Sequence, residues 1–595
     1  MTAVSDTAEL KRVLALPRRT DQDADLLADQ LTELLTFSGG CSGKAGPDGR
    51  CTECKSPLRL RRVQALALHD IGTHSGALLP IGVGEGKGLI FWMALHMLDV
   101  REGLGLLPAS LIDSANVVRD QLANHWLVPK ERLRLVSYEM LGRAQSAKLL
   151  GEEGYRPGAI ICDEVHRAKN LKAACTRRIA RYMAAHPATA FVGMSGTILR
   201  DSLYDFAHLA FWALKENAPL PMLQHELDDW AQALDEKKPG APGADLREVE
   251  PGALLKFCNA EELKQDPKTA ARLGFRRRFV ETPGIVAAAG EGEDVGASIY
   301  IKAHTYGVSP VTEDHFRRLR GDARDRIRYP GWERPDGKMF EQGVEVWNCA
   351  RQLSLGFNYR WDPEPPKEWL EARKEWSKFV RGVLARSHTL DSPEIVVQAI
   401  DAGHLKQGAD LLERWRNVKP TFRPNTVPVW HDDSALAWCA KWMKGGGIVW
   451  TEHHFFAQRL AKETGATYFG SRGLSAKGDH IESCPDKIII ASIDANRDGK
   501  NLQHQWNRNL IVSPPDGWDW WQQCIARTHR PGQRADEVIV DFLLGCREHH
   551  SAWNKANAGT IAARDTIGAK PKLMLADCDV PDSDVVGSFD GWRWR

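Results

Sequence analysis

The amino-acid sequence predicts an α/β protein built from two parallel-sheet lobes with a mostly helical insertion between them. Three observations predict it. The chain has 595 residues, several times the ~100–200 of a usual single domain, so at least two folded cores are required. Two blocks, 82–199 and 446–544, alternate short apolar segments with helical stretches, the pattern of parallel strands joined by crossover helices. Candidate strands are 105–107, 133–137, 159–162 and 190–194 in the first block, and 448–451, 487–493, 510–513 and 538–543 in the second. Between the blocks, apolar residues recur mostly at helical spacing, as in Trp369, Trp376, Phe379 and Val383, with loop-like stretches at 237–246 and 287–296. The expected organisation is an N-terminal region 1–56, a first lobe 57–215, an insertion 216–430, a second lobe 431–546 and a tail 547–595.

Composition narrows the class of function. Hydrophobic residues at 43% and charged residues at 26% describe a soluble globular chain and exclude wholesale disorder. Lys+Arg (79) and Asp+Glu (78) leave a formal charge of +1, which argues against a dedicated nucleic-acid coat or a polybasic membrane binder. The longest apolar run, 89–98, is broken by His96 and falls short of the ~20 residues of a membrane helix. The N-terminus lacks a signal peptide's unbroken apolar segment, so a cytoplasmic location with no membrane partner is expected. Twenty-one tryptophans stand against 9 tyrosines, an excess that core, stacking or interface use must explain. Twelve cysteines are too dilute for a disulfide framework, and Cys162, Cys439 and Cys546 sit in apolar segments as buried thiols.

Taken from the N-terminus, the first chemical signal is Cys41, Cys51 and Cys54. Zinc takes four thiolate or imidazole ligands, and His69 or His74 would complete the set; the alternative is a reduced, loop-borne group of thiols. The segment 78–95, LLPIGVGEGKGLIFWMAL, reads as a strand end, a glycine loop and an apolar helix. Gly84, Gly86 and Lys87 are spaced so that backbone N–H groups ring a phosphate while the lysine reaches its outer oxygens. Ile81 replaces the first glycine of the strict G-x4-G-K-[ST] pattern, and Gly88 replaces the hydroxyl residue that normally joins a Mg²⁺ shell, a place water can fill. The apolar run 158–162 ends in Asp163-Glu164-Val165-His166. At a strand's C-terminal edge Asp163 can hold Mg²⁺, Glu164 can polarise water, and His166 can face the γ-phosphate side. Ser195 and Thr197 follow the next strand as small hydroxyl groups able to sense the nucleotide state or simply to end it.

In this order and spacing, GVGEGKG, DEVHRAKN and MSGTILRDSL resemble motifs I, II and III of superfamily two helicases, nearest the Snf-type, chromatin-remodeller-like branch in a compact, phage-like form. The stretch 523–533, QCIARTHRPGQ, resembles that branch's motif VI, in which Gln523 opens the frame and Arg527 and Arg530 correspond to arginine fingers. One helical turn apart, the two arginines would share a face. Gln64 resembles the adenine-reading glutamine, a helix-surface role being the alternative. Pro108 to Leu111 resembles motif Ia, Ser137-Tyr138-Glu139 motif Ib, and 492–502 motif V through Gly499, Asn501 and Leu502, with Asn496-Arg497 where the family carries a glycine pair. The resemblance covers 57–215 and 430–545 and implies two RecA-like lobes, ATP and Mg²⁺ at their interface, and tracking along nucleic acid, usually duplex DNA.

The function so implied is an ATP-dependent nucleic-acid motor, a translocase or helicase. A nucleotide-gated clamp with little turnover is the alternative, supported by Gly88. Arg276-Arg277-Arg278 and the arginines at 317, 318, 320, 324, 326 and 328 suit either phosphate contact or a salt-bridged helix. The chain closes on acidic residues Asp577, Asp579, Asp582 and Asp584 and on Trp592-Arg593-Trp594-Arg595.

Overall fold

A computed structural model describes residues 7–20, 22–37, 41, 43–46, 49–82, 84–151, 154–235, 252–287, 295–497 and 499–581. Strands β1 (Gly76–Leu79), β2 (Gly103–Leu107), β3 (Leu133–Ser137), β4 (Ala159–Asp163) and β5 (Ala190–Met194) form one sheet in the order β1-β5-β4-β2-β3, with every neighbouring pair parallel. Successive side chains of a strand point to opposite faces. Leu78, Ile160, Cys162 and Phe191 therefore enter one hydrophobic core, and Ala77, Leu79, Ile161 and Val192 enter the other. Apolar cover on both faces explains why β1, β2, β4 and β5 read as apolar runs, whereas β3, at the sheet edge, keeps Arg134 exposed. Because β1, β5 and β4 are neighbours, the loops after their C-terminal ends emerge side by side. Those loops carry the glycine segment, Glu164 to His166, and Ser195 to Thr197.

Past the first sheet the chain forms β6 (Ser298–His304), then a hairpin of β7 (Phe357–Trp361) and β8 (Thr426–Trp430), then β9 (Gly447–Thr451), β10 (Thr467–Phe469), β11 (Ile488–Ser492), β12 (Arg508–Ile511), β13 (Glu537–Leu543) and β14 (Ala576–Asp579). The second sheet has the order β10-β11-β9-β12-β13-β6-β14 and is parallel throughout. All eight expected strands are present. Two further members of this sheet come from stretches expected to be helical insertion and tail. β6 pairs with β13 from Glu537↔Ser298 to Leu543↔His304. Its sequence, SIYIKAH, buries only Ile299 and Ile301 among its apolar side chains, so it lacks the dense apolar signature of its neighbours. β14 closes the edge beyond it.

The stretch 216–430 is thus distributed rather than uniform. Leu227, Trp230, Phe275 and Phe279 pack into the first lobe's core, and the Phe279 ring meets Phe206 at 5.4 Å. The Lys367–Arg386 helix buries Trp369 and Trp376, as its spacing predicts, and forms two small separate cores with Val396, Leu412, Val418 and Phe422. Arginines here are largely engaged within the protein: Arg277 pairs with Glu262 at 2.8 Å, Arg318 with Asp314 and Glu333 at 2.8 and 2.9 Å, and buried Arg278 donates to the Pro17 carbonyl at 2.9 Å. Helix Arg547–Ile567, in the expected tail, packs Trp553 against Trp521 and Phe542, with ring centres 5.0 and 4.9 Å apart. Among the described residues no helix is long and apolar enough to cross a membrane. The loop-like stretch 237–246, Asp582, Asp584 and the terminal 592–595 lie outside the described residues, as does most of 287–296.

Candidate active site

The glycine loop leaves β1 and enters the helix Lys87–Met93. Gly84 and Gly86 hold φ of +93° and +79°, a region that side chains other than glycine rarely adopt. A Cβ on Gly86 would also lie 2.2 Å from Gln64 Nε2. The loop needs glycine there on both counts. Lys87 Nζ curls back to donate to the carbonyls of Ile81 (3.1 Å) and Gly82 (3.2 Å) and stands 4.0 Å from a Glu164 carboxylate oxygen.

Asp163 ends β4, and its carboxylate accepts from the Glu164 backbone N–H at 3.0 Å. Glu164 follows in a left-handed conformation, φ +49°, which costs a non-glycine residue about 1–3 kcal/mol and turns its side chain away from the strand direction. The two neighbouring carboxyls are pushed apart in acidity. Burial and the Glu164 charge raise Asp163 to about 6. Burial also opposes ionisation of Glu164, but Lys87, His166 and Arg527 outweigh it and hold that carboxyl well below the usual range. Asp163 is a partly buried carboxylate, the hard oxygen donor that Mg²⁺ accepts. His166 Nδ1 lies 2.9 Å from Ser195 Oγ, 3.3 Å from Glu164 Oε2 and 3.5 Å from Thr197 Oγ1, and Ser195 Oγ accepts from the Thr197 N–H at 3.1 Å. The residues after β4 and β5 are therefore one connected polar group.

The second lobe closes the other side. The helix Trp518–Thr528 stops before Arg530, so the two arginines do not share a helical face. They nevertheless converge, each donating to the Lys500 carbonyl, Arg527 at 3.1 Å and Arg530 at 3.0 Å, and Arg530 also reaches Asn501 Oδ1 at 2.8 Å. Burial and the adjacent Arg527 charge push Arg530 down to about 9. Gly499, φ +67°, meets the first lobe so closely that a Cβ would lie 2.0 Å from Leu111 Cδ2. Arg200 of the first lobe pairs with Asp516 of the second at 3.2 Å.

Between these elements lies a cavity of about 310 Å³. Gly84, Gly86, Lys87, Asp163 and Glu164 line it from the first lobe, and Gly499, Asn501, Arg527 and Arg530 from the second. Five expected residues do not line it: His166, Ser195 and Thr197, whose mutual contacts are given above, and Gln64 and Gln523. Gln64 is buried beneath the loop, its amide donating to the Gly86 carbonyl and accepting from the Arg61 N–H, both at 2.9 Å. Gln523 is buried within its helix, and its backbone carbonyl accepts from Arg527 Nε at 3.0 Å, which orients that guanidinium. A motif fixes where a residue sits in sequence, and only the fold shows which atoms its side chain meets.

Three contributors were not expected. Arg61 donates to the Gly84 carbonyl at 3.1 Å. Lys572, beyond the last long helix, stands 2.9 Å from His529 Nδ1 in a second interlobe cavity of about 370 Å³ on the far side of the glycine loop. Cys41, Cys51 and Cys54 gather with His125, not with His69 or His74. His69 sits in the helix Arg62–His74 with Nδ1 3.5 Å from Asp70 instead. No local spacing signals His125, which reaches the cysteines only through the tertiary fold.

No family model matches the chain, and no curated protein matches it. Among solved structures, the Pyrococcus furiosus Hef helicase domain is similar at a TM-score of 0.35 and 12% sequence identity, over 82% of this chain and 96% of that one.

Proposed function

We propose that the protein is an ATP-dependent nucleic-acid motor of the Snf-type superfamily two branch, acting on duplex DNA. One observation supports the reading: a single interlobe cavity is lined by a lysine and two carboxylates from one lobe and by two arginines, Arg527 and Arg530, from the other. Phosphoryl transfer to water asks for that combination, with cations on the transferring group and a base for the nucleophile. Lys87 would leave the Ile81 and Gly82 carbonyls to pair with the β- and γ-phosphates of ATP. Asp163 would hold Mg²⁺, whose charge offsets that of the phosphates. Glu164 would accept a proton as water attacks the γ-phosphorus and the bond to the bridging oxygen breaks. Its affinity for that proton rises once Lys87 and Arg527, which hold it low, are engaged by phosphate. Arg527 and Arg530 would stabilise the charge on the transferring group, and the His166–Ser195–Thr197 group would link its state to the first lobe. Because the arginines come from the other lobe, ATP draws the lobes together and product release loosens them, the cycle translocation requires.

The clamp reading keeps one specific support, the glycine at position 88. Initial rates of ATP hydrolysis with no nucleic acid, duplex DNA, single-stranded DNA and RNA separate the readings. The motor reading expects the largest stimulation with duplex DNA. A folded protein that no nucleic acid stimulates, and that matches a Glu164→Gln variant in rate, is not a motor.

A further inference from the structure

The four ligating atoms of Cys41, Cys51, Cys54 and His125 all lie within 4.8 Å of one another. Cys41 Sγ is 3.2 Å from Cys51 Sγ, 3.5 Å from Cys54 Sγ and 2.8 Å from His125 Nε2. A tetrahedral zinc ion with bonds of ~2.3 Å to sulfur and ~2.0 Å to nitrogen spaces its ligands by roughly 3.5–3.8 Å, so these contacts would open by at most about 0.7 Å to receive the ion. Three soft thiolates and one imidazole select zinc over hard cations, and four protein ligands leave no open position, which marks a structural site.

The loop bearing the cysteines has a defined seat on the first lobe. Trp126 Nε1 donates to the Pro57 carbonyl at 2.7 Å, Phe37 N–H to the His125 carbonyl at 2.9 Å, and Leu127 N–H to the Leu35 carbonyl at 2.9 Å. Antiparallel bridges Ala45↔Cys51 and Arg50↔Pro57 fold the loop on itself. His125 lies just past the end of the helix Ile112–Leu122, whose Ser114, Ala115 and Val118 line the 310 Å³ interlobe cavity. Arg50, next in sequence to Cys51, lines the same cavity and donates from Nη1 to the Lys55 carbonyl at 3.1 Å. An ion at the cluster would fix both the helix that walls the cavity and the residue that brings a further guanidinium to it.

We propose that Cys41, Cys51, Cys54 and His125 hold a structural zinc ion, and that the loop it staples presents Arg50 to the phosphates of the bound nucleotide. The second half rests on the nucleotide reading above; the first does not. The test uses the full chain. Elemental analysis after purification should find about one zinc per chain. Replacement by Co²⁺ should give thiolate-to-cobalt charge-transfer bands and tetrahedral d–d bands. His125→Cys should keep the ion and shift those bands, whereas Cys54→Ser should lose most of it. Arg50→Ala should keep the ion and weaken binding of a fluorescent ATP analogue several-fold. A chain with native circular dichroism, no zinc and no cobalt spectrum overturns the metal site. Full zinc with unchanged analogue affinity in Arg50→Ala overturns the link to the cavity. If the wild-type chain binds no analogue, the nucleotide reading fails together with that link, and the metal count still decides the ion site on its own.

Discussion

Glu164 sits among charges that control its acidity. The left-handed turn after β4 places its carboxylate 4.0 Å from Lys87 and 3.3 Å from His166, neighbours that help hold its pKa below the usual carboxylate range. Local sequence made much of this legible, because Asp163 ends an apolar run, Glu164 follows it, and Lys87 closes the glycine loop after β1, positions that converge at one edge of a parallel sheet. Gln64 and Gln523 were legible as positions and not as contacts, since both direct their side chains into packing that no spacing rule describes. Gly88 offers a residue-scale prediction. A Cβ there would meet only Val118 Cγ1 at 3.6 Å, an ordinary contact, and the helix Lys87–Met93 gains from any residue with less backbone freedom than glycine. Gly88→Ser should therefore fold normally and, by returning a hydroxyl ligand to the Mg²⁺ shell, raise kcat for ATP hydrolysis several-fold. A kcat that stays at the wild-type value while nucleotide binding tightens would favour the clamp.

Among the elements, strands such as β4, β5 and β9 were readable because burial on both faces leaves little room for polar side chains. β6 was not, because an alternating, half-polar segment looks like many other things until β13 pairs with it. The helical part of the insertion is fastened to the first lobe by Asp391, whose buried carboxylate accepts from Arg178 at 2.7 and 3.0 Å and from Arg181 at 2.6 Å. Burial opposes its ionisation, but the two arginines outweigh that and hold its pKa below the ordinary aspartate value. A depressed folded pKa contributes stability that is present above the unfolded value of ~3.9 and lost as pH falls through the folded value. Asp391→Ala strands a buried guanidinium and should cost about 3–5 kcal/mol near neutrality. Urea titrations should show the gap between wild type and variant narrowing below about pH 4, through loss of stability by the wild type. A gap that persists unchanged in acid would mean that the ion pair contributes nothing.

For the whole molecule, a formal charge of +1 argues against a dedicated nucleic-acid coat. Several arginines pair within the chain, Arg178 with Asp391 in the interior and Arg277 with Glu262 and Arg318 with Asp314 nearer the surface, so net charge alone says little about ligand preference. The tryptophan excess also resolves into packing, with Trp92, Trp126, Trp450, Trp518 and Trp521 fully buried and Trp369 and Trp376 in the insertion's small cores. What sequence could not supply was the relation between distant segments: β14 and Lys572 reach the lobes from the expected tail, and His125 meets cysteines from the expected N-terminal region. The central claim is that one hydrolytic site is completed only by residues from both lobes. The most direct test is single-turnover ATP hydrolysis in saturating duplex DNA by the wild type, Glu164→Gln and Arg527→Ala, with nucleotide affinity measured alongside. The account predicts that Glu164→Gln slows hydrolysis by roughly 10²–10⁴-fold and Arg527→Ala by about 10³-fold or more, while both variants still bind ATP. Hydrolysis at the wild-type rate in Arg527→Ala would contradict it.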